Sequence, residues 1–173
     1  MIDWKEEYHS ICNAPVELID VSSLDGDHPA VQFNGYWQSL ATSEAPDRKS
    51  FRPQDVGGLL RWLMMFRHIQ DMAPDAYLLY LQGDSASELT GGMLQGQYLR
   101  DFTSDECFAS RLSIFEKVMA EGVPSFATVK VGAKKSEFIV DISLGAFPFT
   151  NDAGAPEVVM VPSPNSLELR RYL

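Results

Sequence analysis

The sequence predicts an α+β fold in which five strands form one antiparallel sheet, flanked by helices and preceded by an N-terminal helical extension. Three observations predict this fold. Apolar residues alternate with other residues in two separate parts of the chain, which is typical of strands. A long amphipathic helix lies between these parts, and helical segments precede them. Strands gathered into runs, rather than alternating one by one with helices, indicate an α+β architecture.

The domain organisation follows from the chain length and from the prolines that mark the boundaries of elements. A chain of 173 residues is long enough for one domain with a substantial core. We place that domain at residues 29–162. Residues 1–28 are interpreted as an N-terminal extension, with a helix near its start and an extended segment at residues 16–21. Residues 163–173 are interpreted as a tail that forms a helical turn.

The lead-in helix of the domain is predicted to run from Pro29 to about Ser43. Proline suits the first position of a helix, where its missing N–H is not needed. Phe33, Tyr36 or Trp37, and Leu40 then recur at helical spacing and give the helix an aromatic face. We expect this face either to cover the sheet or to form a dimer contact.

The first two strands are predicted from Trp62 to about Ile69 and from Tyr77 to Gln82, joined by a turn. The apolar run from Trp62 also fits a helix, and the turn and clear strand that follow favour a hairpin. Gly83 ends the second strand, and Asp84 or Ser85 is expected to cap the short helix that follows. A further glycine, Gly96, marks a second turn.

The long helix is the clearest element of the chain. Thr103 and Glu106 have the spacing of a capping box, and Phe108, Leu112 and Phe115 follow at helical intervals. Gly122 is placed to end the helix.

Three more strands are predicted after the long helix. They cover Phe126 to Val131, Phe138 to Leu144, and Val158 to Val161. The second is expected to end around Pro148, and Pro162 and Pro164 are expected to end the third. Lys134 lies in the predicted hairpin turn between the first two.

Composition excludes several classes of protein. The net charge of −10, from 14 basic and 24 acidic residues, argues against nucleic-acid binding, because phosphate contacts need clustered cations. The first residues have no basic start and no apolar run, and no stretch approaches the roughly 20 apolar residues of a membrane span. We therefore expect a cytoplasmic protein that binds no membrane. Cys12 and Cys107 form no disulfide framework, and we expect free thiols.

One group of residues carries a family resemblance. It comprises the pair Tyr36-Trp37, the linker Pro46-x-Arg48-x-x-Phe51-x-Pro53, the strand that ends at Gly83, and Leu94-Gln95-Gly96. This pattern resembles a PAS domain, and in particular a bacterial PAS family, typical of alphaproteobacteria, once catalogued as a domain of unknown function. Tyr80 and Gln95 depart from the family, which often has Arg and Thr at these positions. The residues of the structural motif are Tyr36, Trp37, Pro46, Arg48, Pro53, Gly83 and Gly96.

The resemblance implies a sensory or interaction module with a pocket between the sheet and the long helix. A small apolar ligand would contact side chains of both, although a closed hydrophobic core is an equal alternative. The candidate pocket residues are Tyr77, Leu79, Leu81, Phe108, Leu112, Phe115, Phe126, Val140 and Ile142.

No cofactor is expected. The run around Cys107 lacks the motif of flavin-binding light sensors, and the long helix has no histidine of the kind that binds haem in PAS domains. His9, His28 and His68 show no metal-ligand spacing and are interpreted as surface or strand residues. Arg48 is interpreted as a structural residue, paired with a carboxylate such as Asp55 or with backbone carbonyls, with a ligand anion as the alternative.

The sequence therefore predicts a single-domain sensory or signalling module without catalytic activity, which binds a small ligand, a partner signalling protein, or both. A homodimer is compatible with this function. Two alternatives remain, namely an adaptor with a filled core and a small enzyme on a cone-shaped α+β fold. His68 and Asp141 are the candidate catalytic pair for that enzyme, although nothing in the sequence brings them together. No serine elbow or phosphate loop is present.

Overall fold

The structure is a computed structural model that describes residues 16–132 and 139–173. The predicted N-terminal helix, which includes His9, lies outside the described residues, as does the hairpin turn at Lys134. The strands within the described ranges are β1 Glu17–Ile19, β2 Met64–His68, β3 Tyr77–Gln82, β4 Ser125–Gly132, β5 Ile139–Thr150 and β6 Pro156–Pro164. The α-helices there are α1 Pro29–Leu40, α2 Pro53–Val56, α3 Asp84–Leu89, α4 Asp105–Glu121 and α5 Leu167–Tyr172. Short 3-10 helices cover Val21–Ser23, Arg48–Ser50, Gly57–Trp62 and Leu99–Phe102.

The described strands form one antiparallel sheet in the order β1-β4-β5-β6-β2-β3. This is an α+β fold, as predicted, but the sheet has six strands and the prediction of five is wrong. The sixth is β1, which pairs with β4 through Glu17 and Thr128. It lies in the segment predicted as extended, and its three residues are too few for alternation to identify a strand.

The sheet separates two hydrophobic cores. Side chains of alternate residues point to opposite faces of a strand. Leu144 and Ala146 of β5 accordingly join the core beneath α4, whereas Phe147 and Phe149 join the core beneath α1. Gly145 belongs to the same face as Phe147, and a Cβ at this position would lie 2.6 Å from the ring of Phe147.

Helix α1 covers one face of the sheet, which is the first of the two roles expected for its aromatic face. Phe33 and Trp37 are buried, and the indole N–H of Trp37 donates to the carbonyl of Pro148 at 2.9 Å. The helix begins at Pro29 as predicted but ends at Leu40, three residues before Ser43.

Helix α4 covers the other face. It begins one residue later than predicted, because Ser104 rather than Thr103 is the N-cap and accepts from the backbone N–H of Cys107. Gly122 ends the helix in the left-handed conformation, with φ of 68°. Cys107 is disulfide-bonded, so the expectation of free thiols is wrong for this residue.

Strand β5 ends at Thr150, next to its predicted end at residues 147–149, whereas β6 runs to Pro164, three residues past its predicted end at Val161. Proline has no N–H to donate and is tolerated where a strand has a neighbour on one side only. The described pairing of β4 with β5 stops at Ala146, and that of β2 with β6 stops at Met160. Pro148, Pro162 and Pro164 therefore lie in one-sided stretches, and the prediction that β6 ends before Pro162 is wrong.

Helix α3 has a glycine cap. Its N-cap is Gly83, so the prediction that Asp84 or Ser85 caps the helix is wrong. The hydroxyl of Ser85 instead accepts from Arg61 at 2.5 Å and donates to the carbonyl oxygen of Leu173 at 2.6 Å. These bonds join α3 to the 3-10 helix at residues 57–62 and to the end of α5.

Gly83 is required by close packing against that 3-10 helix. A Cβ at this position would lie 2.3 Å from the carbonyl oxygen of Leu60, which is backbone and cannot rotate away. Gly83→Ala is expected to lower the free energy of unfolding by about 2 kcal/mol or more, the upper part of the range for overpacking. Urea unfolding monitored by circular dichroism measures this change.

The matched control for that variant is Gly35→Ala, within helix α1, where nothing lies within 4 Å of the added Cβ. Alanine in a helix interior is expected to raise stability by about 0.5–1 kcal/mol. Equal effects of the two substitutions would contradict the steric account of Gly83.

His28 is buried, with 1% of its surface exposed, so its interpretation as a surface or strand residue is wrong. Nδ1 of the ring accepts from the backbone N–H of Ala30 at 3.1 Å and thereby caps α1. Nε2 lies 3.2 Å from the carbonyl oxygen of Ser163, to which it donates as the protonated nitrogen of a neutral ring. Burial lowers the pKa of His28 below its ordinary value of 6.5.

The lowered pKa of His28 predicts a loss of stability in mild acid. The folded state keeps the ring neutral, whereas the unfolded chain takes up a proton as the pH falls through about 6.5. The stability that the neutral His28 ring contributes is therefore fully present above pH 6.5, and it decreases as the pH falls from 6.5 towards the lower pKa of the folded state. Urea unfolding between about pH 7.5 and 5 should show a shallower dependence in His28→Asn, which keeps a capping side chain but does not titrate. An identical slope in both proteins would contradict the assignment.

Candidate functional site

The predicted pocket is largely a packed interior. Five of its nine candidate residues meet on the α4 face, where they contact one another rather than a void. The rings of Tyr77 and Phe115 meet edge-on at 5.1 Å between centroids, and Phe66 meets Phe115 at 5.0 Å. The five residues are Tyr77, Leu79, Phe108, Leu112 and Phe115.

Two further candidates lie on the same face but in a separate cluster. Val140 and Ile142 of β5 pack with Val129 of β4 and Leu89 of α3. They line one end of the interface between sheet and helices rather than the centre around Phe115.

Phe126 lies on the opposite face of the sheet from the predicted pocket. It pairs with Gly145 and packs against Phe147 in the core beneath α1, with ring centroids 5.8 Å apart. Ile142 and Leu144 alternate with Gly145 along β5, so their side chains lie on the α4 face. The prediction that Phe126 and Ile142 share a pocket is therefore not met, because the two strands fix their side chains on opposite faces.

Leu81 is also outside the packed cluster, and a β-bulge is the reason. Met65 pairs with Leu81 and Phe66 with Leu79, so Tyr80 is the extra residue of β3. A bulge reverses the facing of the residues that follow it. Leu81 thus pairs with a residue of the α1 face and is 37% exposed.

The described residues line a small cavity beside these clusters. One cavity between the sheet, α3 and α4 has a volume of about 30 Å³, whereas pockets for drug-sized molecules are about 300–1,000 Å³. Its volume suits one water molecule. It is lined by Met64, Leu89, Thr90, Arg111, Val129, Ile142, Leu144, Met160 and Pro162.

Arg111 is a wall residue of this cavity that sequence reasoning missed. It is buried on α4, and desolvation lowers its pKa from 12.5 to about 10, so the guanidinium is still charged at neutral pH. A basic residue among the apolar positions Phe108, Leu112 and Phe115 was the available signal, but an exposed helix position gives the same pattern.

The structural motif anchors a polar network on the α1 face. Tyr80, the bulge residue, donates from its hydroxyl to Oε2 of Glu157 at 2.7 Å and accepts from Nε of Arg48 at 3.1 Å. Arg48 and Arg67 lie 3.8 and 3.9 Å from the same carboxylate. Burial, followed by the bond to Glu157, raises the pKa of Tyr80, which keeps its hydroxyl protonated as a donor.

This network agrees with a structural role for Arg48 but not with Asp55 as its partner. The partner is Glu157, whose 3% exposure makes it a buried carboxylate. Sequence reasoning missed Glu157, because a single acid before the apolar run of β6 is also typical of an exposed strand end.

Other motif residues fix the linker between α1 and α2. The hydroxyl of Tyr36 accepts from the N–H of Arg52 at 2.9 Å, and the carbonyl of Pro46 accepts from the N–H of Thr150 at 3.0 Å. Pro53 begins α2. Gly96 adopts φ of 91° and donates to the carbonyl of Leu79 at 2.8 Å, which protects the outer edge of β3.

The candidate catalytic pair is not assembled. His68 lies on β2 and contacts the carbonyl oxygen of Pro74 at 2.8 Å, whereas Asp141 lies on β5 beyond the intervening strand and faces Lys130. Among the described residues, no three His, Cys, Asp or Glu side chains are grouped as metal ligands.

A PAS-domain family model matches residues 26–160, which is most of the chain, and the sheet with its flanking helices agrees with it. The chain belongs to the PAS domain family. It is accordingly a sensory or signalling module in general terms, in a family whose domains are generally non-catalytic. No curated protein matches the chain. In the described part of the chain, every helix is too short or too polar to span a bilayer.

The bond between Tyr80 and Glu157 is expected to stabilise the fold. Tyr80→Phe leaves a buried carboxylate oxygen without its donor and should lower the free energy of unfolding by about 1–3 kcal/mol. In a Glu157→Gln background the same change should cost less, as a double-mutant cycle of urea unfolding would measure.

Tyr172→Phe is the control for loss of a hydroxyl, because this residue is 79% exposed. It should change stability by less than about 0.5 kcal/mol. If Tyr80→Phe lowered the free energy of unfolding equally in the original protein and in Glu157→Gln, the bond between Tyr80 and Glu157 would contribute nothing to stability.

Proposed function

We propose that the chain is a PAS signalling module with a filled core, which has no catalytic activity of its own and acts by binding a partner signalling protein. The single observation that carries this proposal is the packing between the sheet and α4. The aromatic rings that were candidate pocket walls are in mutual contact, and the neighbouring cavity holds about 30 Å³. A signal that enters or leaves such a domain has to do so at its surface.

The contacts between the two ends of the domain support this form of the proposal. Arg170 of α5 donates to Asp27 at 3.1 Å and to the carbonyl of Pro164 at 3.0 Å. The segment before α1 and the segment after β6 are therefore held together on one side of the domain. The predicted domain at residues 29–162 leaves out β1 and the end of β6, which belong to the same sheet, so the signalling domain proposed here extends beyond these bounds to include them.

A small-ligand sensor is the second candidate. The location of the cavity favours it, because the space lies between the sheet and the long helix, where a ligand pocket was expected. Ligand entry would require α3, which supplies Leu89, to move away from the sheet. Neither candidate includes haem, flavin, nucleic acid or a membrane.

The remaining parts of the proposal concern origin, location and assembly. The resemblance to a bacterial family supports a bacterial origin, and the cytoplasmic location of this proposal rests on the absence of a signal-peptide pattern in the first residues of the given sequence. A homodimer is compatible with either candidate.

Native mass spectrometry of the protein as purified from cells, beside a denaturing run, tests the two candidates against each other. A filled core predicts that both runs give the mass of the bare chain. The native run also reports whether the protein is a monomer or a homodimer.

A mass excess that disappears on denaturation would contradict the filled core and support the sensor, and its value would begin to identify the ligand. Ile142→Ala enlarges the cavity between the sheet and α4. If the excess mass is a ligand bound in that cavity, this variant should change the fraction of the protein that carries it.

A further inference from the structure

The surface above Glu157 forms an open groove on the face of the sheet that α1 covers. Its volume is about 420 Å³, more than ten times that of the interior cavity. It lies between the 3-10 helix at Arg48–Ser50, the end of β2 and the loop before β6. The lining residues are Arg48, Lys49, Arg67, Asn151, Asp152, Ala153 and Glu157.

Two guanidinium groups flank the buried carboxylate at the bottom of this groove. Arg48 approaches Oε2 of Glu157 and Arg67 approaches Oε1, at 3.8 and 3.9 Å. These distances give ion pairs but are too long for hydrogen bonds. Within the described residues, the Arg67 guanidinium makes its ion pair and a ring contact, so its N–H groups are available to another acceptor.

Aromatic rings hold both guanidinium groups in place. Arg67 lies over the ring of Tyr80 at 4.1 Å, and Arg48 lies over the ring of Phe51 at 4.6 Å. Both rings are in turn fixed, Tyr80 by its bond to Glu157 and Phe51 by burial. A guanidinium fork positioned before a ligand arrives loses less entropy when it binds.

The local charge favours a single negative charge. Arg48 and Arg67 carry two positive charges against the one carboxylate of Glu157. Lys49 and Asp152 pair at 2.9 Å at the exposed rim and cancel each other. The groove thus has an excess of one positive charge, in a chain whose net charge is −10.

We propose that this groove is a binding site for a small carboxylate, with Arg67 and Arg48 as the residues that contact the ligand. A planar carboxylate matches the fork of a guanidinium, and its single charge matches the excess in the groove. Arg67 is the main contact, since 46% of its side chain is exposed compared with 26% for Arg48. The groove lies on the other side of the sheet from α4. Because its occupancy is measured by direct binding, the proposal does not depend on the proposed signalling function.

The test is an NMR titration of the ¹⁵N-labelled protein with sodium acetate in Tris buffer, with sodium chloride at equal ionic strength as the reference salt. The arginine side-chain Nε–Hε signals report the contact. We expect saturable shifts of the Arg48 and Arg67 signals with acetate and only small, non-saturating shifts with chloride.

Arg67→Gln should weaken acetate binding about tenfold, as loss of a charge-assisted hydrogen bond implies. The matched control is Arg100→Gln. Arg100 also pairs with an acid, Asp75, and lies over an aromatic ring, Phe108, at 4.1 Å, but outside the groove. This control should bind acetate as the original protein does.

Three results would overturn the proposal. They are equal shifts with acetate and chloride, unchanged affinity in Arg67→Gln, and tighter saturable binding of inorganic phosphate than of acetate at the same signals. Arg67→Lys is the second variant if Arg67→Gln does not fold. It retains the charge without the fork and should also bind more weakly, and unchanged affinity would again overturn the proposal.

Discussion

The alternation of side chains across the sheet is the constraint on which the rest of the structure depends. Helices cover both faces, so each strand has to supply apolar residues to two cores at once. Leu144 and Ala146 serve one core and Phe147 and Phe149 the other. Because a slip of one residue would exchange the two sets, the register of β5 and β6 determines which residues lie beneath α4 and which lie beneath α1.

The sequence predicted the elements that have long, regular patterns. Helix α4 was recognised because its apolar residues repeat over several turns and a glycine follows, and α1 was recognised by its proline and aromatic spacing. The strands at residues 64–68 and 77–82 were placed to within a few residues. The errors have local causes, since β1 has only three residues and Pro162 of β6 is tolerated where the strand has one neighbour.

The candidate site was less predictable, because it depends on contacts between distant residues. The motif around Arg48 identified a region of the linker that is indeed tied to the sheet, but not its partner Glu157, which lies more than a hundred residues later. The facing of Leu81 depends on the bulge at Tyr80, and nothing in an apolar run reveals an extra residue. The interior beneath α4 is packed with aromatic rings, whereas the groove on the α1 face is open and charged and surrounds one buried carboxylate, that of Glu157.

The contact between Asp27 and Arg170 has a consequence for helix α5. Strand β1, at one edge of the sheet, precedes Asp27, so the contact joins α5 to the connection between β1 and α1. Because Asp27 lies just before α1, a movement of α5 that breaks the contact would also release the segment that leads into α1. A protein joined to α5 would therefore be coupled to the helix that covers one face of the sheet.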